Sequence, residues 1–207
     1  MKNKLKSVKT NDEDIPKFKV HKKIESNLNY DTTKWTYVPS SYCNYRYVLG
    51  KVGIKPIVVI GINPSTAEPD NLDKTLKSVE RLVVGNKYDS YIMLNVYAQR
   101  ATNPNDIHSS PINKLHRENI KAFKYIFNNL NESPTIWAAW GTNIEKRKYL
   151  KDYLKEIIDI CERYDPKWVK VDKLTKKGHP RHPLYINKNK KFDNFDIKLY
   201  LKTSEIK

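Results

Sequence analysis

The feature that most constrains the fold is the run Pro56-Ile57-Val58-Val59-Ile60-Gly61. Four consecutive apolar β-formers leave neither face for water, which predicts a central strand covered on both sides. Such a strand belongs to a parallel sheet with helices above and below it. YIMLNVYA (91–98), TIWAAW (135–140) and WVKVDKL (168–174) are further strand patterns. SYCNYRYVL (41–49) alternates aromatic and polar residues, as a half-buried strand does. Leu72, Leu76, Val79, Leu82 and Val83 fall at helical spacing, with Thr66 or Asp70 as the cap and Gly85 as the stop. A second helix is predicted through about 113–130, and a third from about Asn143 to Arg163. Strands alternating with helices predict a three-layer α/β/α fold around a central, mainly parallel four-stranded sheet.

The 207 residues suit one domain. Residues 1–25 are rich in Lys, interrupted by Asp12, Glu13 and Asp14, and read as a basic, flexible tail before a single domain over 26–207. The formal net charge of +16 makes polyanions the natural partners, nucleic acid first among them. A lysine-rich composition with no such partner gives the same charge. Cys43 and Cys161 stand far apart and outside any CxxC pair, so neither a zinc ribbon nor a redox motif is expected. No apolar run has the length of a membrane span, and the N-terminus lacks the apolar core of a signal peptide. A cytoplasmic monomer is expected.

In a parallel α/β sheet, sites gather at the carboxyl ends of the strands. Four motifs fall there. GINPS (61–65) has Gly61 for close approach, Pro64 to fix the turn, and Asn63 to hold a water; an ordinary Asn-Pro turn with Ser65 or Thr66 as a helix cap reads the same way. LNVYAQRAT offers Asn95, whose amide matches the edge of a pyrimidine, Tyr97 for stacking, and Arg100 for a phosphate. Each also has a plain role, as a buried loop holder, a core ring and an ion-pair partner. WGTN (140–143) reads as a turn, with a helix amino end behind it. GHPRHPLY sets His179, Arg181 and His182 on a loop stiffened by Pro180 and Pro183, among Lys173, Lys176, Lys177, Lys188, Lys190 and Lys191. That suits an anionic substrate or leaving group. No metal is expected, because HxxH on a proline-bound loop lacks the helical HExxH geometry. Phosphate-loop, dinucleotide and serine-hydrolase signatures are missing, and no cofactor is expected.

From about Tyr45 to Ile186 the chain resembles a bacterial and phage family catalogued as domain of unknown function 1643. YRYVL, NPSTAEPDNLDKT, LNVYAQRATNP, RENI, AAWG and GHPRHPLY carry the resemblance, in that order. The four strand-end segments also resemble, more distantly, the uracil-DNA glycosylase superfamily. GINPS is similar to the GINPG motif of its mismatch-specific branch, which implies that Asn63 positions the attacking water within a wall of Gly61, Ile62, Pro64 and Ser65. MLN resembles the strand whose last residue reads the flipped pyrimidine, a role that falls on Asn95. TIWAAWGTNIEKRK resembles the strand-glycine-helix segment. HPRHPL resembles HPSPL with one residue inserted, which implies that His179 or His182 steadies the departing base and that Leu184 is the wedge. Ser65 stands in place of the second glycine of GINPG, and the base-stacking aromatic has no clear counterpart.

The resemblance implies a glycosylase-like fold and hydrolysis of the N-glycosidic bond of a flipped uracil or modified pyrimidine in DNA, single- or double-stranded. Repair, or defence against modified phage DNA, would be its setting. The alternatives are a non-catalytic nucleic-acid-binding module on the same fold, and a hydrolase of free nucleotides.

Overall fold

The computed structural model describes residues 14–19, 28–130, 132–184 and 186–205. The apolar run forms β3 (Pro56–Gly61), and every residue from Ile57 to Ile60 is essentially inaccessible to water. It lies in the middle of one seven-stranded sheet of order β1-β2-β4-β3-β5-β6-β7. The other strands are β1 (Trp35–Val38), β2 (Val48–Lys51), β4 (Ser90–Asn95), β5 (Thr135–Ala138), β6 (Lys167–Val171) and β7 (Phe192–Asn194). β4, β3, β5 and β6 are mutually parallel, and these are the four strands that the apolar runs predict.

The sheet is larger than four strands. β1, β2 and β7 add antiparallel edges. β1 and β7 have four and three residues, too short for a period-two pattern to show. The alternating segment from Ser41 becomes regular only at Val48, and Tyr45 makes a single bridge to Gln99.

The helices are α1 (Lys74–Gly85), α2 (Asn113–Asn128), α3 (Lys148–Cys161) and α4 (Ile197–Glu205). Period-two alternation sorts the strand residues between two layers. Ile57 and Val59 pack with Leu76, Val79, Leu82 and Val83 of α1. Val58 and Ile60 pack on the other face with Phe123 of α2, Leu154 of α3 and Tyr200 of α4. α1 is capped by Asp73, whose Oδ1 accepts the Leu76 N–H at 2.9 Å, and not by Thr66 or Asp70. Asp70 instead takes a left-handed φ of 58° and accepts the Trp35 Nε1–H. The expected third helix starts late: a 3-10 turn over Gly141–Glu145 precedes α3.

Part of the segment read as a tail is docked. Ile15 is buried in the core, the Tyr47 hydroxyl donates to the Pro16 carbonyl at 2.6 Å, and Glu118 accepts the Phe18 N–H. Residues 1–13 and 20–25 lie outside the described residues. Among the described residues no helix is long and apolar enough to cross a membrane.

The chain leaves β3 toward β4 and leaves β5 toward β6, in opposite directions along the sheet. The crevice between the carboxyl ends of β3 and β5 is therefore the topological switch point, where open α/β sheets place ligands.

Candidate active site at the carboxyl edge of the sheet

The loops after β3 and β4 are laced together. Gly61, Ile62 and Pro64 accept the N–H groups of Val96, Tyr97 and Ala101, each at 2.9 Å. Ser65 Oγ meets Thr102 Oγ1 at 3.1 Å, and Arg100 donates Nη1–H to the Ser65 carbonyl. Asn63 adds two bonds, from Nδ2 to the carbonyls of Pro64 at 2.9 Å and Ala101 at 2.8 Å. Both partners are pure acceptors, so the amide orientation is fixed by chemistry. The Asn63 Oδ1 remains the end that can accept a hydrogen bond.

Asn95 ends β4 in register with Gly61. Its side chain has no solvent exposure, and neither Nδ2 nor Oδ1 has a hydrogen-bond partner among the described residues. The amide lies against Gly61: a Cβ there would sit 3.0 Å from Asn95 Oδ1 and 2.5 Å from Met93 Cε. Only glycine leaves that space. An amide buried with both ends unpaired is costly, and such groups in a folded protein call for an explanation.

The two histidines of GHPRHPLY go to different places. His179 is 3% exposed, with Nδ1 on the Tyr200 hydroxyl at 2.9 Å and Nε2 on Glu145 at 3.1 Å. Tyr200 also accepts the Trp140 Nε1–H at 3.0 Å. This network clamps the loop to α4 and to the turn after β5, so both ring nitrogens of His179 are occupied. The hydrogen bonds from Lys177 and His179 hold the Glu145 carboxyl well below its usual range, at about 2.

His182 sits over the end of β5. Gly141 has a φ of +65°, and a Cβ on it would fall 3.0 Å from the Cβ of His182. His182 Nδ1 accepts the Leu184 N–H at 3.3 Å, which puts the proton of the neutral ring on Nε2. Burial pushes the His182 pKa below its ordinary value, opposed by the nearby charge of Asp73. The ring is therefore a neutral donor at pH 7. Asn95 ends β4 and His182 rests on the turn after β5, the two strands that pair with β3. A cavity of about 410 Å³ adjoins His182, with Gly141, Asp172, Arg181, Leu184 and Lys190 in its wall.

Other residues singled out from the sequence are enclosed, hold the backbone, or line that cavity. Ile62 is buried in the core toward α2 and α3. Tyr97 is enclosed too: its hydroxyl meets His108 Nδ1 at 2.8 Å, and its ring packs on Tyr149 and Tyr153, which leaves no face for a base. Arg100 is committed to the carbonyls of Ser65 and Ala67 and to the Tyr37 hydroxyl, so it holds the loop. Arg181 is exposed and bonded to the Lys173 carbonyl at 2.9 Å, and Leu184 is half-buried. Two charged residues at this edge escape sequence reasoning. Arg46 is 1% exposed, and Asp73 Oδ2 is buried without a partner. The signal for Arg46 was a lone cation inside an aromatic run. For Asp73, spacing showed only a helix start. Among the described residues no group of His, Cys, Asp and Glu could hold a metal ion.

Fold and edge together define an α/β protein with polar side chains gathered at the carboxyl ends of its parallel strands. The model of a family described as protein of unknown function (DUF1643) matches residues 46–184, which run from the arginine before β2 through Leu184. The chain belongs to that family. No curated protein and no solved structure matches it.

Proposed function

We propose that the crevice takes a pyrimidine base flipped from DNA and that the protein hydrolyses its N-glycosidic bond. One observation carries this reading: the Asn95 amide, fully buried beside Gly61, with its donor and acceptor both unpaired. A base edge that presents a carbonyl oxygen next to a ring N–H pairs with both. Water held by Asn63 Oδ1 attacks the sugar carbon, the carbon–nitrogen bond breaks, and the base leaves as an anion that then takes up a proton. The sugar passes through an oxocarbenium-like state, as in other glycoside hydrolyses. A neutral Nε2–H from His182 lowers the energy of the departing base. His182 suits this role better than His179, whose ring nitrogens are both engaged. The strongly basic chain supplies attraction to the phosphate backbone. A target base must leave its stack to reach so enclosed an amide.

The test is base release from plain, uracil-containing and phage-modified DNA, with abasic sites counted and free bases identified by mass. Asn95→Leu fills the same space without polar atoms. It is expected to fold at least as stably as the wild type and to lose release by about 100-fold, in line with the loss of one bidentate contact of about 1–3 kcal/mol. Undiminished release in that variant refutes the role of Asn95. No release from any DNA, with salt-sensitive binding retained, refutes catalysis and leaves a binding module.

A further inference from the structure

Arg46 and Arg100 stand at the same edge without a part in that reaction. Both donate Nη1–H to the carbonyl of Ala67, at 3.2 and 3.1 Å, so the two guanidinium groups converge on one oxygen. Neither makes a carboxylate ion pair with a described residue. Each keeps its Nε–H buried with no acceptor. Burial, with Arg100 beside it, pushes the Arg46 pKa down to about 10, still charged at neutral pH. A buried guanidinium beside a half-buried one, each with an Nε–H that lacks an acceptor, is an expensive arrangement, and the expense needs a reason.

The neighbouring groups leave those two donors unmet. Asp73 acts on Arg46 across space, but its Oδ1 caps α1 and its Oδ2 has no partner. Tyr37 accepts from Arg100 at 2.7 Å, and burial raises its pKa to about 12, which keeps it neutral. Glu68 also acts across space on Tyr37, so this cluster holds two carboxylates beside its two guanidinium groups, and the two Nε–H groups are what stays without a partner. Electrostatic contacts link the groups to the residues of the site. Arg46 is within electrostatic reach of Tyr91, which shares a face of β4 with Met93 and Asn95. Asp73 is felt by both Arg46 and His182. Tyr42, 52% exposed, lies over Arg100 at 4.3 Å, so solvent is one side chain away.

We propose that Arg46 and Arg100 form a subsite for a phosphate oxyanion, that of the nucleotide whose base Asn95 takes. The two free Nε–H groups donate to phosphate oxygens. The identity of the nucleotide rests on the reading of Asn95 given above; the anion site does not.

The first experiment follows thermal unfolding of the full chain in sodium phosphate and in sodium chloride at equal ionic strength. With phosphate in about tenfold excess over its Kd, the wild-type midpoint should rise by about 3 °C. Arg46→Met should unfold at or above the wild-type midpoint in chloride and show no response to phosphate. Arg46→Lys keeps the charge but lacks the Nε–H, and should bind phosphate at least tenfold more weakly. A wild type indifferent to phosphate, or an Arg46→Met variant that responds like the wild type, overturns the proposal. If Arg46→Met does not fold, unchanged phosphate affinity in Arg46→Lys overturns it. Inorganic phosphate contains no base, so this result stands apart from the fate of the Asn95 reading. A second experiment compares deoxyuridine, deoxyuridine 5′-monophosphate and a short oligodeoxyuridylate. A tenfold preference for the monophosphate over the nucleoside, lost in Arg46→Lys, assigns the subsite to free nucleotides. The same preference seen only with the oligonucleotide assigns it to the strand. Equal binding of all three counts against the subsite.

Discussion

At the scale of single residues, Asn63 and Asn95 do opposite things with the same side chain. Asn63 gives both amide hydrogens to backbone carbonyls and presents only Oδ1. The Asn95 amide gives nothing to the described residues, and both of its ends are unpaired. Aspartate is the usual choice for activating water, yet it fails at position 63 on electrostatic grounds. A carboxylate there faces the carbonyls of Pro64 and Ala101 with no hydrogen to offer. Asn63→Asp should therefore destabilise the fold by about 1–3 kcal/mol, more than Asn63→Ala, which only strips two carbonyls of their donor. Urea unfolding of the two variants measures the order, and Asp at or above Ala in stability refutes the tethering geometry. Both variants should lose base release, because neither offers an oriented amide oxygen.

At the scale of elements, the turn after β5 sets the position of His182. Gly141 adopts its left-handed backbone where the strand gives way to the 3-10 turn, and His182 rests on the space a Cβ would fill. Gly141→Ala should cost about 1–2 kcal/mol from the backbone alone. It should also displace His182, so base release falls further than the lost stability explains. Rates measured well below the unfolding midpoint, with the folded fraction verified, separate the two effects; a full rate in a folded variant removes Gly141 from the positioning of His182. The sequence made this element only partly legible. A glycine after an apolar strand announced a turn, and the strand-end rule gathered Asn63, Asn95 and the GHPRHPLY loop at one edge. Which histidine is engaged on both ring nitrogens was not legible from HPRHP, because the decision is made by distant groups. Glu145 and Tyr200 capture His179, and Tyr200 belongs to a helix whose short run predicted nothing. The same limit hid Arg46. Its neighbours in an aromatic run suggested a polar strand face, whereas its guanidinium turns inward to a carbonyl 21 residues away. Long-range polar contacts have no periodicity to read. Apolar layers do, which is why the four parallel strands were visible and the short edge strands were not.

At the scale of the whole molecule, burial has left several titratable groups in forms that acid disrupts. His108, His116 and His182 are all pushed below their ordinary pKa, chiefly by burial. For each, the unfolded chain binds the proton more readily than the fold does. Stability is then complete above the unfolded value, about 6.5, and declines as pH falls from there toward the depressed folded values. Glu145 adds a separate, lower limb. Its carboxyl is held near 2 from an ordinary 4.5, so its contribution is present above 4.5 and lost as pH approaches 2. The net charge of +16 grows as carboxylates and histidines protonate, and self-repulsion steepens both limbs. The thermal midpoint, measured at about 0.15 M salt to screen surface charge, should be level from pH 8 to 7 and fall between pH 6.5 and 5. His182→Asn removes one of the three histidine contributions and should make that fall shallower, while leaving the lower limb of Glu145 in place. A slope between pH 6.5 and 5 that is the same in His182→Asn as in the wild type would mean that His182 takes up its proton as readily folded as unfolded. The ring would then be cationic in mildly acidic solution, and the neutral Nε2–H donor assigned to it at the end of β5 would be confined to pH above about 6.5.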